Sequence, residues 1–589
     1  MEYEIKSVSK EPVVNIAIDT LARKKQALIF VNSKRSAQKT AADIAKETKD
    51  VLTHHAQLKE LSQKILGSLS HPTDQCTKLA HAIERGVAFH HAGLASSQRE
   101  DIENAFRAGF LKIICCTPTL AAGLDMPAFR TVLKELKRYS GSFGMQFIPV
   151  LEYQQMAGRA GRPGMEDYGE AIIIANTQKE RDVLVETYIH GEVEDIYSKL
   201  AVEPVLRTYV LSLIATGLCR TRHDLVTFFS KTFWAHHYQD MPQLERIIVR
   251  VTKLLINYGF VTDSKTSTAL STSSDANDTN NTNNATRDNT SKSARHQKQR
   301  SVTSTIEFES AADLMEQTNT PLLVTPLGQR VSQLYIDPLS ADHLLQGLEK
   351  EKITTFGIFI LLCQTLEMRP LLRVKSTQLD SVNEFLFLHE QELLLPVPTL
   401  YDLEYENFFD AIKTTQYVLD WLDETGEDQL FEKYDIRPGE INAKNEILDW
   451  LLYCCAELSN VTNKKHHVGP LTKLRTRLQY GAKEDLLPLL ALKGIGRIRA
   501  RKMIQAQIRT IAELKSVDIG KLSALLGAAI ATDLKKQVGI NQVGNLVSTD
   551  TTQSDQLDSA SSTLSSQSKL THKSSKTKEK LSWQQELLH

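Results

Sequence analysis

Two arginines three residues apart, Arg159 and Arg162, lie in the run Tyr153-Gln154-Gln155-Met156-Ala157-Gly158-Arg159-Ala160-Gly161-Arg162-Pro163-Gly164. On a helix that spacing puts both on one face, and the glycines beside them let a ligand approach the backbone. Arginine presents a planar fork that matches phosphate oxygens and keeps its charge. Two forks on one edge of an α/β domain can clamp a γ-phosphate, and an arginine finger in that role is worth about 10³–10⁵ in rate. A solvated basic helix end, favoured by the helix dipole, has the same spacing. Alone, the pair reads as that helix end.

Short apolar runs supply the elements that must position these residues. Ala27-Leu28-Ile29-Phe30-Val31, Gly86-Val87-Ala88-Phe89-His90, Leu111 to Cys116 and Glu170 to Ile174 read as strands. Helix-like stretches over 33–48, 96–108 and 152–161 separate them, which implies crossovers and a parallel sheet over residues 1–195. Three further polar segments follow strand ends, where such a fold places ligands. They are Asn32-Ser33-Lys34-Arg35, then His91-Ala92-Gly93-Leu94 with Arg99, then Thr117-Pro118-Thr119-Leu120-Ala121-Ala122-Gly123-Leu124-Asp125-Met126-Pro127.

The Q-x-x-G-R-x-G-R run resembles motif VI of superfamily 2 helicases, and the 117–127 segment resembles their motif V. Phe30 to Arg35 is similar to motif IV, and His90 to Leu94 with Arg99 to the segment after it. All four stand in family order, an agreement that single short motifs rarely reach by chance. The resemblance implies that Arg159 and Arg162 stabilise the transferring γ-phosphate. It further implies that Gly123, Asp125 and Gln155 serve the nucleotide, with Asp125 on the ribose. Thr117, Thr119 and His91 with Gly93 would touch a DNA backbone. Between motifs V and VI, Arg138 to Pro149 reads as a hairpin around Ser140-Gly141-Ser142. In the resembled family this hairpin splits the duplex. Phe143 and Phe147 either stack on an exposed base pair or pack the hairpin onto the domain.

Residues 196–340 resemble a winged helix, carrying an insertion over 263–305. From Ser271 to Arg300 its only apolar residues are alanines, so disorder is expected there. A helical block spans 341–480, a basic module 483–540, and a Ser/Thr/Lys-rich tail 541–589. In the module, Leu492-Lys493-Gly494-Ile495-Gly496-Arg497-Ile498-Arg499-Ala500-Arg501-Lys502 is similar to a helix-hairpin-helix. Its Gly494-Ile495-Gly496 turn can offer backbone N–H groups to a DNA phosphate; Arg497, Arg499 and Arg501 add sequence-independent affinity. A tight turn between packed helices is the plainer alternative. This order of modules resembles the archaeal Ski-like DNA-repair helicases, relatives of HELQ and of the helicase part of polymerase theta. The expected fold is thus multidomain α/β plus α: RecA-like sheet, winged helix, helical ratchet and helix-hairpin-helix. In that family a long helix offers an arginine and a tryptophan to successive bases. Trp450 matches the aromatic, while Asn442 and Ala443 stand where the arginine is expected. Trp450 also fits a core position between Leu448 and Leu451.

No G-x-x-x-x-G-K-[ST] and no D-E-x-[HD] box occur in the 589 residues. Both are needed to cradle β/γ-phosphates and to hold magnesium. The chain reads as starting directly before the second RecA-like domain. ATP with magnesium is therefore expected to need a P-loop domain on another polypeptide, with the metal held there. A gene fragment, a stand-alone DNA-binding scaffold and an RNA helicase of the same group are the other readings. With 70 basic and 71 acidic residues, any nucleic-acid footprint must be local. Seven cysteines without C-x-x-C argue against a zinc ribbon or a disulfide scaffold. The adjacent pairs His54-His55, His236-His237 and His466-His467 do not face one ligand on a helix. No protein metal site is expected. No signal peptide or membrane span is evident, so the expected location is the cytoplasm, at the nucleoid.

Overall fold

The computed structural model describes residues 3–48, 55–69, 72–121, 126–139, 144–161, 167–200, 202–263, 320–399, 401–402 and 404–540. Gly123, Asp125, Phe143, Arg162, most of the insertion and the tail lie outside the described residues.

Five strands form a parallel sheet: β1 Ala27–Phe30, β2 Val87–His90, β3 Ile113–Cys116, β4 Arg130–Leu133 and, after the hairpin strands β5 Lys137–Tyr139 and β6 Met145–Phe147, β7 Glu170–Ile173. Their order is β2-β3-β1-β4-β7, with Ala27 opposite both Ile113 and Arg130. The first four strands are buried along their whole length. Helices Lys34–Glu47 and Asp74–Ile83 cover the sheet, which is why these strands read as continuous apolar runs without alternation. Cys115 and Cys116 are core residues. Arg130 is a buried exception within β4. Its guanidinium donates to Asp19 at 2.6 Å, Glu170 at 2.5 Å and Tyr3 at 2.8 Å, tying the first helix and the edge strand β7 to the sheet.

Helices Glu203–Ala215, Arg222–Phe229 and Met241–Asn257 precede a two-stranded wing of β8 Val261–Asp263 and β9 Leu322–Val324. Leu322 N–H donates to the Arg220 carbonyl at 2.7 Å, seating the wing on the helices. The next helix, Pro326–Leu334, packs so closely that a Cβ on Gly328 would lie 1.9 Å from the Phe260 carbonyl oxygen. A buried bidentate pair, Arg207 to Asp337 at 3.0 and 2.6 Å, fastens the first of these helices to the start of the helix Pro338–Gly347, which leads into the helical block. Winged helix and block share one continuous core. The block's long helices are Tyr405–Leu422, Pro438–Val461 and Val468–Tyr480. The last module has its own small core around Leu486, Ala500, Met503 and Leu534.

Candidate nucleotide and nucleic-acid interface

The helix Val150–Ala157 carries the motif VI glutamines and ends at Gly158, so Arg159 sits just past its C-terminus. There the chain turns into the sheet: Ala128 N–H donates to the Arg159 carbonyl at 2.9 Å, and Gly161 N–H to Ala128 at 2.7 Å. Gly161 takes φ +90, a left-handed conformation that favours glycine. Arg159 Nη2 donates to the Ala121 carbonyl at 2.5 Å, bonding motif VI directly to motif V. Gln155 is exposed on the same helix, and Arg159 is half-buried. At the other end, Glu194 accepts the Val150 and Leu151 N–H groups at 2.6 and 3.1 Å. Its carboxyl is held below the usual range: burial pushes its pKa up, but those N–H bonds outweigh that. A carboxylate on a helix N-terminus is the favourable sign for the helix dipole.

The residues after β2 and β3 behave differently from one another. Thr119 is exposed, Thr117 is half-buried, and their hydroxyls meet at 2.9 Å on the open edge. His91 is fully buried. Its Nδ1 accepts the Gly93 N–H at 3.2 Å, and burial, together with the charges of Lys34 and Arg437, lowers its pKa to about 3. The ring is therefore neutral. Gly93 lies beneath Arg437, and its carbonyl accepts from Gly439 N–H at 3.2 Å. Both residues, expected on a DNA backbone, face the helical block in this arrangement. The hairpin is present as β5 paired with β6, with Met145 and Phe147 exposed at 63% and 41%. Phe147 meets Tyr188 edge-on at 6.2 Å while Lys137 lies 4.5 Å from its ring centroid, so it packs on the domain with part of its face open.

In the basic module, Ile495 is buried and anchors the turn, while Gly494 and Gly496 are exposed and face open space. Gly494 has φ +79, and Gly496 precedes the helix Arg497–Gln505. The three arginines then separate. Arg499 is exposed and donates to the Gly494 carbonyl at 2.6 Å. Arg497 stacks over Trp421 at 4.3 Å, and burial lowers its pKa. Arg501 donates to Glu424 at 2.8 and 2.5 Å and to Asp485 at 2.6 and 2.9 Å, bonds that raise its pKa. Positions 497 and 501 are one helical turn apart and share a face, whereas 499 points away. Counting charge along the sequence overlooked that geometry. Lys493 and Lys502 remain exposed beside Arg499.

Trp450 is half-buried against the block's core. Around it, Arg475 pairs bidentately with Asp449 at 2.9 Å and lies 5.1 Å over Tyr453. Asn442 and Ala443 are exposed, but Lys444, the nearest cation in sequence, donates to the Pro370 carbonyl at 2.6 Å. Among the described residues no group of three or more His, Cys, Asp or Glu could hold a metal ion. Among them, too, no helix is long and apolar enough to cross a membrane.

Residues 11–164 match the helicase conserved C-terminal domain, residues 169–262 a helix-turn-helix domain, and residues 356–481 domain 4 of the archaeal helicase. The chain is 34% identical over 549 residues to the ATP-dependent DNA helicase Hel308 of Methanocella arvoryzae, covering 91% of this chain and 66% of the relative. The Hel308 of Methanococcus vannielii is 36% identical over 86% of this chain and 65% of its own length. That of Pyrococcus abyssi is 33% identical over 89% and 65%. The chain belongs to the Hel308-like archaeal superfamily 2 helicases.

It spans just under two thirds of the length of these Hel308 relatives. Within the Hel308-like frame, the residues of the interface that sequence motifs did not announce are Glu194 and Glu440. Glu194 lies 44 residues after Val150, the first residue of the helix that it caps. Lys34 bonds Glu440 across 406 residues of chain. Only the capping pattern Pro438-Gly439-Glu440, with a carboxylate at the third helical position, hinted at the last.

Proposed function

We propose that the chain is the nucleic-acid-gripping part of an ATP-dependent 3′–5′ DNA helicase. It acts on branched or forked DNA in repair and replication, at the nucleoid, with a P-loop domain supplied by a separate polypeptide. The observation that carries the reading is the bond from Arg159 to the Ala121 carbonyl, which couples motifs V and VI at one sheet edge. ATP with Mg²⁺ would lie between that edge and the P-loop domain, which brings the phosphate cradle and the carboxylates for the metal. Magnesium bound there neutralises charge on the phosphate oxygens. Arg159 and Arg162 present forks to the γ-phosphate. Gln155 and Gly123 line the nucleotide, and Asp125 meets its ribose.

DNA would be held at three places. Thr117 and Thr119 bond backbone phosphates, with His91 and Gly93 shaping that edge from beneath. Phe143 and Phe147 meet the fork. Trp450 stacks on a base of the translocating strand, and the Gly494–Gly496 turn with Arg499 takes a phosphate beyond it. Such a turn suits duplex and junction phosphates, which favours DNA over RNA. Residues 1–195, 196–340, 341–480 and 483–540 are the working units, followed by the tail 541–589.

Mixing the chain with a P-loop RecA-like domain taken from a Hel308 relative tests the reading. The expected result is DNA-stimulated ATP hydrolysis and unwinding of a 3′-tailed fork, with turnover falling about 10³-fold in Arg159→Ala. A mixture that binds forked DNA but neither hydrolyses ATP nor unwinds identifies a scaffold. A preference for RNA duplexes identifies an RNA helicase.

A further inference from the structure

The segment after motif IV and the start of the long helix Pro438–Val461 meet at a contact too close for side chains. Gly439 N–H donates to the Gly93 carbonyl at 3.2 Å, which also accepts from Gln75 at 3.1 Å. A Cβ on Gly439 would lie 2.1 Å from the Ala92 carbonyl oxygen and 2.4 Å from that of Leu94. A Cβ on Gly93 would lie 2.6 Å from Arg437 Cδ. Glycine faces glycine across the two domains, and backbone is the obstacle on one side. Backbone cannot swing aside as a side chain can.

Charge fastens the same contact. Lys34, from motif IV, pairs with Glu440. Glu440 also caps its own helix, its second carboxylate oxygen accepting the Arg437 N–H at 2.9 Å. Arg35 reaches Asp435 at 3.6 Å. Neutral His91 braces the loop from below through its bond from Gly93 N–H. A loop expected on a DNA backbone and a capped helix thus hold each other.

We propose that this contact is a rigid joint that makes the RecA-like domain and the Pro438–Val461 helix move as one body. Gly93, Gly439, Lys34 and Glu440 are its positioning residues. Motion of the sheet domain is handed directly to the helix that carries Trp450, without passing through the winged helix. The consequence for unwinding rests on the helicase reading; the joint itself does not.

The test uses the full chain, spin-labelled at Lys39→Cys on the sheet domain and Glu432→Cys on the block. Both sites are exposed, and the seven native cysteines are buried. The wild-type joint gives one narrow interspin distance, unchanged by single-stranded DNA. Gly439→Ala broadens or lengthens it, although alanine favours helix over glycine, so helical content and melting of the block are retained. Glu440→Gln, which keeps the cap but not the ion pair, broadens it less than Glu440→Ala. A narrow, wild-type distance in Gly439→Ala overturns the joint, as does a wild-type distance that shifts on adding DNA. Mixed with the P-loop domain, Gly439→Ala should keep DNA-stimulated ATP hydrolysis and lose at least about tenfold in unwinding. Unwinding retained at the wild-type rate overturns it too. If the wild-type mixture hydrolyses no ATP, the helicase reading falls and the distance measurement still decides the joint.

Discussion

Arg499 and Arg501 carry the same charge two residues apart and do opposite things. Arg501 is saturated by Glu424 and Asp485, whereas Arg499 keeps its fork at the exposed turn. Arg499→Ala should therefore lower affinity alike for all DNA sequences and flatten the log–log salt dependence by about one unit. Arg501→Ala should leave that slope unchanged and instead cost stability, by about 1 kcal/mol for a partly exposed ion-pair network. Fluorescence anisotropy over a salt series, paired with thermal melts, separates the two; equal slopes in both variants would reject the division. His91 makes a second residue-scale prediction. Its folded pKa of about 3 lies below the imidazole value of the unfolded chain, so the unfolded chain binds the proton first. Stability from keeping the ring neutral is complete above about pH 6.5 and is lost as the pH falls toward 3, by about 1.4 kcal/mol per pH unit. His91→Gln should lose less stability than wild type between pH 7.5 and pH 5.0 in urea titrations. Equal losses would mean that the ring does not stay neutral in the fold.

Strands, motif-bearing loops and the hairpin were legible because each is encoded over a few neighbouring residues. The run Ile113 to Cys116 can hardly be anything but a buried strand, and Pro438 at the first helical position marks a start. Pairings between distant elements were not legible. Helical spacing separates the faces of Arg499 and Arg501, but nothing local shows that Arg501 is bonded to Glu424, 77 residues away. The expected helix over 152–161 proved to be Val150–Ala157, because the backbone of Arg159 and Gly161 is taken up by Ala128. At the wing, three residue pairs hold β8 to β9 however long the chain between them is. Closure entropy grows slowly with loop length. Deleting residues 266–302 should accordingly shift the melting temperature by no more than about 2 °C and leave DNA affinity unchanged. A larger drop in differential scanning fluorimetry would show that the deleted residues pack against the folded part.

At the scale of the whole chain, a net charge of -1 means that any nucleic-acid affinity must come from local cations. Purified alone, the 589 residues should hydrolyse no ATP above background with or without DNA, since no phosphate loop lies among them. DNA-stimulated turnover in a malachite-green assay, abolished by Arg159→Ala, would contradict this. Glu194 shows how tightly the parts are wired. It lies in irregular chain near the end of the sheet domain, yet it sits on the first N–H groups of the helix whose far end presents Arg159. One end of that helix is thus fixed by a carboxylate, and the other leads into the arginine. The seat of motif VI is thus set from outside the motifs, by a residue on the chain's way to the next domain.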